Sequence, residues 1–412
     1  MANLNITLNQ EEILQLLHEN KSDIFKFVLQ KSLNEFLKAE SSEVLKAQPY
    51  ERTDKRTDSR NGFRERPLTT RIGTIMLNVP RHRDVAFHTM LFDNYQRKEQ
   101  ALITTMAEMV VSGVSTRKVS KVMETLCGKS FSKSSVSEAC KTLDYEISEF
   151  KNRKLEKHYP FLIVDATYFK VREEHRVVSK ALMIAVGIDE RGYREVIGFE
   201  TYKNESKQTW GMFFESLKNR GLSGVTIITS DAHEGILYAM KEYFPTVPWQ
   251  RCHYHFSKNI VDKAPKKYQE ALRSDLKAMF SSIDLESAIK KMNQIADEYR
   301  DVAEKAIECL EVGFIDAMTN LMAPEKIRKV IRTSNHVERV NKELKRRSNV
   351  IGIFPNSQSL IRLMGSILID TNEKWSAKTR GEFYKPALLE LMASKKELEE
   401  YAKKQYAMLD AA

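Results

Sequence analysis

The chain has little of what marks several common protein classes. Its 412 residues include four cysteines, Cys127, Cys140, Cys252 and Cys309, widely spaced and with no CxxC pair. That pattern argues against a disulfide scaffold and a closed four-ligand zinc site, and it fits a reducing cytoplasm. The longest clearly apolar run, Ala181 to Ile188, has eight residues, whereas a membrane-spanning helix needs about 20. The opening MANLNITLNQ has no basic start followed by an apolar stretch, so no secretory signal is expected. No GxxxxGK[ST] loop, GxGxxG fingerprint or GxSxG elbow occurs. Nothing therefore points to an ATP- or NAD-driven machine or to an elbow-type hydrolase. Only ten prolines, with 30% charged and 42% hydrophobic residues, indicate a globular rather than a disordered chain.

What is present is basic charge and length. Lys and Arg number 66 against 56 Asp and Glu, a net +10. That balance favours a polyanionic partner, nucleic acid first, with ordinary solubility charge as the plain alternative. The length predicts two or three domains, each able to bury a core.

Residues 1–50 read as helices, with Asn9 as a possible N-cap and a second amphipathic run from Ile24 to Leu37. Residues 51–100 read as a basic, hairpin-containing region. Within 51–83, nine basic residues face four acidic ones. Thr69–Ile72 and Thr74–Val79 predict two short strands around Gly73, with Pro80 as a stop. Arg60, Arg64, Arg66 and Arg71 there are candidates for phosphate contact, against the alternative of a solvated linker.

Residues 101–150 predict a helix-turn-helix. A helix opens near Ser115 and carries Arg117 and Lys118, and Cys127-Gly128-Lys129 breaks it. A second helix then runs from Ser132 to Leu143, with Val136, Ala139, Cys140 and Leu143 as its apolar stripe. Its outer face would offer Lys133, Ser134, Ser137 and Lys141 to a DNA groove. Helix pairs of this kind are also common in proteins that never touch DNA.

From residue 158 the periodicity turns to strands. Three β-rich runs, a helix, a strand, a helix and a fifth strand predict an α/β unit over 158–257. Residues 258–330 read as almost wholly helical. Helices resume over 331–390, and 391–412 form a polar helical tail.

Two aspartates stand out in the α/β unit. Asp165 lies inside Phe161–Thr167, where a carboxylate is costly unless paired or metal-bound. Asp231 ends the run Val225–Ser230, a common place for ligand or metal groups, with an N-cap for the next helix as the rival role. Together they suggest a hard-cation site for Mg²⁺ or Mn²⁺. A third carboxylate is Glu338, on a helix whose apolar stripe is Val337, Val340 and Leu344. Asn335, Glu338, Lys342 and Lys345 share a different face. Glu343 is about 140° round the helix from Glu338, so both cannot easily serve one metal. A solvated charged helix is the plain alternative. Cys252-His253-Tyr254-His255 has no second half at zinc-finger spacing, so ordering the site or touching substrate is the expected role.

Taken together, these residues resemble the Mutator-type transposases of bacterial insertion sequences, related to plant Mutator elements. The resemblance rests on VDATYFKVR around Asp165, TSDAHEGI around Asp231, WQRCHYHFSKNI around Cys252 and His255, and TSNHVERVNKELKRRSNVIGIFPN around Glu338. RNGFRERPLTTRIGTIMLNVPRHRD and VSGVSTRKVSKVMETLCG upstream also match, and the likeness covers roughly residues 50–375. It implies a ribonuclease H-like core with an all-α insertion at 258–330, and a DDE triad of Asp165, Asp231 and Glu338 holding two Mg²⁺ or Mn²⁺ ions. It carries the family's C-x-x-H element onto Cys252 and His255. The basic residues near the glutamate, Arg339, Lys342, Lys345, Arg346 and Arg347, would meet DNA backbone. The implied activity is cleavage at the terminal inverted repeats of an element and strand transfer into target DNA, by a homodimer or larger assembly acting at the bacterial nucleoid. A structure-selective nuclease on the same fold, or a catalytically silent DNA-binding regulator, are the rivals.

Overall fold

Two periodicities shape the chain, and a computed structural model resolves where each rules. It describes residues 21–70, 73–89, 100–127, 131–378, 381–383 and 385–411. The expected N-cap at Asn9, the contact residue Arg71 and the break at Gly128-Lys129 lie outside those residues. The chain divides into two compact units, residues 1–142 and 143–412.

In the first unit, helix α1 (Lys21–Leu45) lies on an antiparallel hairpin of β1 (Arg60–Thr70) and β2 (Gly73–His82). The core beneath is small: Leu37, Leu68, Ile75, Leu77 and Val79. The strands run past the predicted ends, and Pro80 sits inside β2 opposite Phe63 rather than stopping it. A two-stranded sheet has only edge strands, where a proline costs no ladder bond on its outer side.

Three further helices, α2 (Gln100–Val111), α3 (Thr116–Cys127) and α4 (Lys133–Cys140), share a second core built on Met106, Val119, Met123 and Val136. Ser132 caps α4 by accepting from the Ser135 N–H. The second helix is shorter than predicted. It stops at Cys140, and Leu143 begins a separate helix, α5 (Leu143–Asn152), whose Ile147 joins the main core of the second unit. An apolar residue at a helical interval looks the same in sequence whichever core receives it.

The second unit is built on a five-stranded sheet of β3 (Phe161–Glu173), β4 (Arg176–Ile188), β5 (Arg194–Tyr202), β6 (Ile227–Ser230) and β7 (Trp249–Arg251). Their spatial order is β5-β4-β3-β6-β7. β3, β4 and β5 pair antiparallel, and β6 and β7 add in parallel. Both faces are covered, which explains the near-continuous apolar runs. Phe161 and Ile163 point into one core with Val337, Val340 and Leu344. Leu162 and Val164 point into the other, against helices α6 (Lys207–Asn219) and α7 (Glu234–Tyr243).

After β7 come α8 (His253–Val261), α9 (Gln269–Phe280) and the long α10 (Leu285–Ala317), which enclose their own core. This helical block is fastened to β7. The Gln250 side chain donates to the Ala317 carbonyl at 2.8 Å, Thr319 Oγ1 donates to the Trp249 carbonyl at 2.7 Å, and the Arg251 guanidinium stacks on Phe256. A methyl group on Gly313 would come within 2.0 Å of that guanidinium and 2.6 Å of the Phe256 ring, so a larger residue there would have to displace this stack. Helices α11 (Glu325–Ile331), α12 (Asn335–Ser348), α13 (Ser357–Ser376), α14 (Lys385–Ala393) and α15 (Lys395–Ala411) complete the unit. Among the described residues, no helix is long and apolar enough to cross a membrane.

Candidate active site

The register of β3 and β6 sets the site. These parallel strands pair Phe161 with Ile227 and Ile163 with Thr229. Two residues beyond the last pair come Asp165, within β3, and Asp231, just past the end of β6, and the two carboxylates are close enough to interact electrostatically. Helix α12 packs over β3 here. Asp165 is 7% exposed, its Oδ1 accepting from the Ala166 N–H at 2.9 Å and its Oδ2 from Asn341 Nδ2 at 2.8 Å. Burial, and then the charge of Asp231, push its carboxyl up to about 7. The cap of α7 is His233, whose Nδ1 accepts from the Gly235 N–H at 3.1 Å. The rival role for Asp231, capping that helix, is therefore filled by another residue.

Glu338 reaches the site from the first turn of α12. Its Oε1 accepts from Ser334 Oγ at 3.0 Å, and Ser334 Oγ lies 3.1 Å from the sulfur of Cys252. Cys252 is held by the bond from its N–H to the Ser230 carbonyl, 2.8 Å, at the end of the strand that leads to Asp231. One turn into α8, His255 Nε2 stands 4.0 Å from Glu338 Oε1. Burial alone would lower the His255 pKa. The nearby Cys252 thiol and the charges of Asp165 and Glu338 outweigh that and raise it to about 9.

The donor atoms of Cys252, His255 and Glu338 lie within 4.8 Å of one another; among the described residues this is the trio at metal-binding spacing. Asp165, Asp231 and Glu338 are electrostatic neighbours but are not drawn together to that degree. Like charges separate, and here each carboxylate is held by its own partners. A sulfur–nitrogen–oxygen set suits Zn²⁺ in principle. Without a metal, His255 and Glu338 form a long ion pair, 4.0 Å between Nε2 and Oε1, and a metal at this trio would have to displace the imidazole proton.

The fit for a hard divalent cation rests on the carboxylates. Asp165 is costly as an anion where it stands, and a nearby cation would relieve that cost. Asn341 Oδ1 is buried beside it with no hydrogen-bond partner among the described residues, an oxygen acceptor of the kind Mg²⁺ and Mn²⁺ take.

Sequence reasoning missed Asn341, Ser334 and Glu205. Asn341 is three residues from Glu338, as much a same-face neighbour as Lys342 at four. Of the face chosen in the sequence, Glu338 turns into the site, whereas Lys342 and Lys345 are exposed. Glu205, after β5, has its carboxyl raised by burial and then by Asp231; an acid just before the capping Ser206 was its only signal.

The candidate DNA-contact residues divide by environment. Arg64, Arg117, Lys118, Lys133, Ser134, Ser137 and Lys141 are exposed, as are Arg339 and Arg346. Arg60 is spent internally: its guanidinium donates to Ser42 Oγ at 2.9 Å and to the carbonyls of Ala47 and Gln48 at 2.7 and 3.1 Å. Arg66 is half-buried. Arg346 and Arg347 both grip Glu343, at 2.7 Å each.

With this geometry in hand, the chain's relatives can be placed. The profile of the Mutator family of transposases matches residues 1–378. The chain belongs to that family. It is 43% identical over 384 residues to the transposase for insertion sequence element IS256 in transposon Tn4001 of Staphylococcus aureus, covering 92% of this chain and 98% of that one. It is 38% identical over 358 residues to the transposase for element ISRM5 of Rhizobium meliloti, covering 87% and 90%. To the transposase for element IS1081 of Mycobacterium tuberculosis it is 34% identical over 371 residues, 89% of each. A Drosophila P element transposase strand transfer complex aligns with 76% of this chain and 92% of its own at a TM-score of 0.31 and 10% identity, too slight to carry an argument.

Proposed function

We propose that this member of the Mutator family binds the terminal inverted repeats of an insertion sequence and catalyses metal-dependent DNA cleavage and strand transfer, through Asp165, Asp231 and Glu338. The observation that carries the reading is the approach of Asp165 and Asp231 from adjacent parallel strands, beneath the helix that presents Glu338. The strand order, three antiparallel strands extended by two parallel ones, supports a ribonuclease H-like core, and the helices of 253–317 support the all-α insertion.

Asp165, Asp231 and Glu338 would hold two Mg²⁺ or Mn²⁺ ions. Such ions, when bound, stabilise both the attacking and the leaving oxygen of a phosphodiester displacement. The chain's own groups set the geometry. Asn341 and the Ala166 N–H fix the rotamer of Asp165, and Ser334 fixes Glu338. Protonated His255 adds a positive charge beside Glu338. Water attacks at the element end in the first step, and the freed 3′-hydroxyl attacks target DNA in the second. No side chain of the protein is called on as a nucleophile. The exposed basic residues of the first unit would hold the repeats, and a homodimer or larger assembly would bring two ends together.

The test is chemical mapping with Fe²⁺ in place of Mg²⁺. Ascorbate and peroxide then generate hydroxyl radicals at the bound ion, and backbone cuts are expected near residues 165, 231 and 338. Cuts confined to the neighbourhood of 252–255, or one stoichiometric zinc per purified chain, would move the metal to the Cys252–His255–Glu338 trio.

A further inference from the structure

A cavity of about 610 Å³ opens between α8, α9 and the segment that leads into α12. Its size lies in the range that houses a small ligand or one nucleotide-sized group. Lys258, Arg273, Lys277 and Arg332 line it, against a single acid, Asp262. Among the described residues none of these four cations has a salt-bridge partner. Four cations against one acid give this concavity a net positive lining. Tyr254 supplies an aromatic face at the same wall, 46% exposed, with its ring packed edge-on against His255 at 5.5 Å between centroids.

The cavity adjoins the candidate active site. Two of its lining residues are one peptide bond from residues that touch Glu338: Tyr254 precedes His255, and Thr333 precedes Ser334. The His253 N–H bond to the Arg332 carbonyl, 3.0 Å, locks those two walls together. A strand whose scissile phosphate lies at Glu338 would have this opening beside its path.

We infer that the cavity receives an unpaired nucleotide of the DNA strand adjoining the cut, its phosphates on Lys258, Arg273, Lys277 and Arg332 and its base stacked on Tyr254. Cations that track the backbone, beside an aromatic platform, are the features by which proteins hold single-stranded nucleic acid. The inference rests on the reading of Asp165, Asp231 and Glu338 as the cutting site for its account of which strand enters, but the binding itself is independent of catalysis.

The test uses the full-length protein in EDTA, with a fluorescent oligonucleotide of ten thymidines and a blunt ten-base-pair duplex. Arg273→Glu with Lys277→Glu should weaken the single strand at least tenfold. Tyr254→Ala should weaken it roughly fivefold or more, as expected for loss of one stacked base, and should leave the duplex unchanged. Lys290→Glu with Lys305→Glu, two exposed reversals on α10 outside the cavity, is the control matched in net charge to the double reversal. A decamer carrying one 5-iododeoxyuridine should photocrosslink to Tyr254, identified by mass spectrometry. Melting of each variant checks that it is folded. Equal loss of duplex and single strand in Tyr254→Ala, or unchanged binding in the double reversal with crosslinks elsewhere, would overturn the proposal. Because no cleavage is read, these failures stay separate from any failure of the metal site, which Asp165→Ala would report through nicking.

Discussion

The hairpin of the first unit and the sheet of the second treat charge in opposite ways. On the hairpin, Arg64 stands exposed over a core of a few side chains. On the sheet, Asp165 is enclosed within the largest core of the molecule and held at both carboxylate oxygens. A surface that neutralises phosphates needs exposed cations and tolerates a thin scaffold. A site that aligns reacting oxygens needs side chains locked by packing and second hydrogen bonds, and it accepts a cost in stability to have them. The contrast repeats within α12. Glu338 in its first turn is half-buried among Ser334, His255 and Cys252, whereas Glu343 near its end is paired outward with two arginines.

The contrast breaks most sharply if the two glutamates prove interchangeable. Glu338→Ala, like Asp165→Ala and Asp231→Ala, is expected to lower single-turnover nicking of a repeat-ended duplex by roughly 10³-fold or more, the scale for losing a member of a catalytic unit. Binding to the same duplex should persist. Glu343→Ala should stay within about threefold of the parent. Near-normal nicking by any of the first three with Mg²⁺ would remove that residue from the site.

The next largest effect is on stability. A folded-state pKa of about 7 for Asp165, against an ordinary value of 3.8, means the native state prefers the neutral acid. That contribution is complete below about pH 3.8, fades as pH rises, and is lost by pH 7. Above that, the ionised carboxylate costs on the order of 4 kcal/mol, at about 1.4 kcal/mol per unit. Asp165→Asn keeps the shape and the bond to Asn341 and removes the charge. In EDTA it should raise the urea midpoint clearly at pH 8 and much less at pH 5. Adding Mg²⁺ should narrow the gap at pH 8 by stabilising the parent. Equal midpoints at both pH values would show that the site carries no such cost.

How much of this was legible follows the same division. The buried strands announced themselves, because residues such as Phe161–Val164 must be apolar on both faces, and an aspartate among them has few reasons to exist. Family likeness then linked Asp165, Asp231 and Glu338 across 173 residues, a distance no local pattern spans. The partners were not legible. Asn341 reads like any helix-surface amide until the fold turns it toward Asp165, and Ser334 reads as a cap, although its hydroxyl serves Glu338. Arg60 reads as a phosphate ligand because charge is visible in sequence and the carbonyls that consume it are not.

A smaller effect probes the exposed side of the comparison. Arg64→Ala should weaken binding of the full-length protein to repeat and random DNA alike, by roughly three- to tenfold. It should also flatten the salt dependence by about one ion, since each neutralised phosphate contributes a slope near −0.9. Ser134→Ala and Ser137→Ala, on the outer face of α4, should leave random DNA unchanged and shift the preference for repeats. Arg60→Ala should differ from Arg64→Ala by lowering the melting temperature, because its guanidinium ties the end of α1 to the hairpin.

The smallest effect is the most discriminating for α12. Arg346 and Arg347 hold the Glu343 carboxyl down at about 2. For a depressed acid the stabilisation is present above its ordinary pKa of 4.5 and is lost as pH falls toward 2. Taken at face value that shift is large, but the Glu343 side chain is 35% exposed and Arg346 more so, and pairs in water return little of their nominal energy. Glu343→Ala should therefore cost less than about 1 kcal/mol at pH 7, with the difference shrinking toward pH 3. The same change releases Arg346 from its ion pair, about two turns along the helix from Glu338, and it removes a negative charge. Affinity for DNA should rise by a few-fold at low salt and return to the parent value at high salt. A loss of affinity would mean that Glu343 holds these arginines in the geometry in which they meet phosphate, so that the pair is part of the DNA-contacting surface rather than a brake on it.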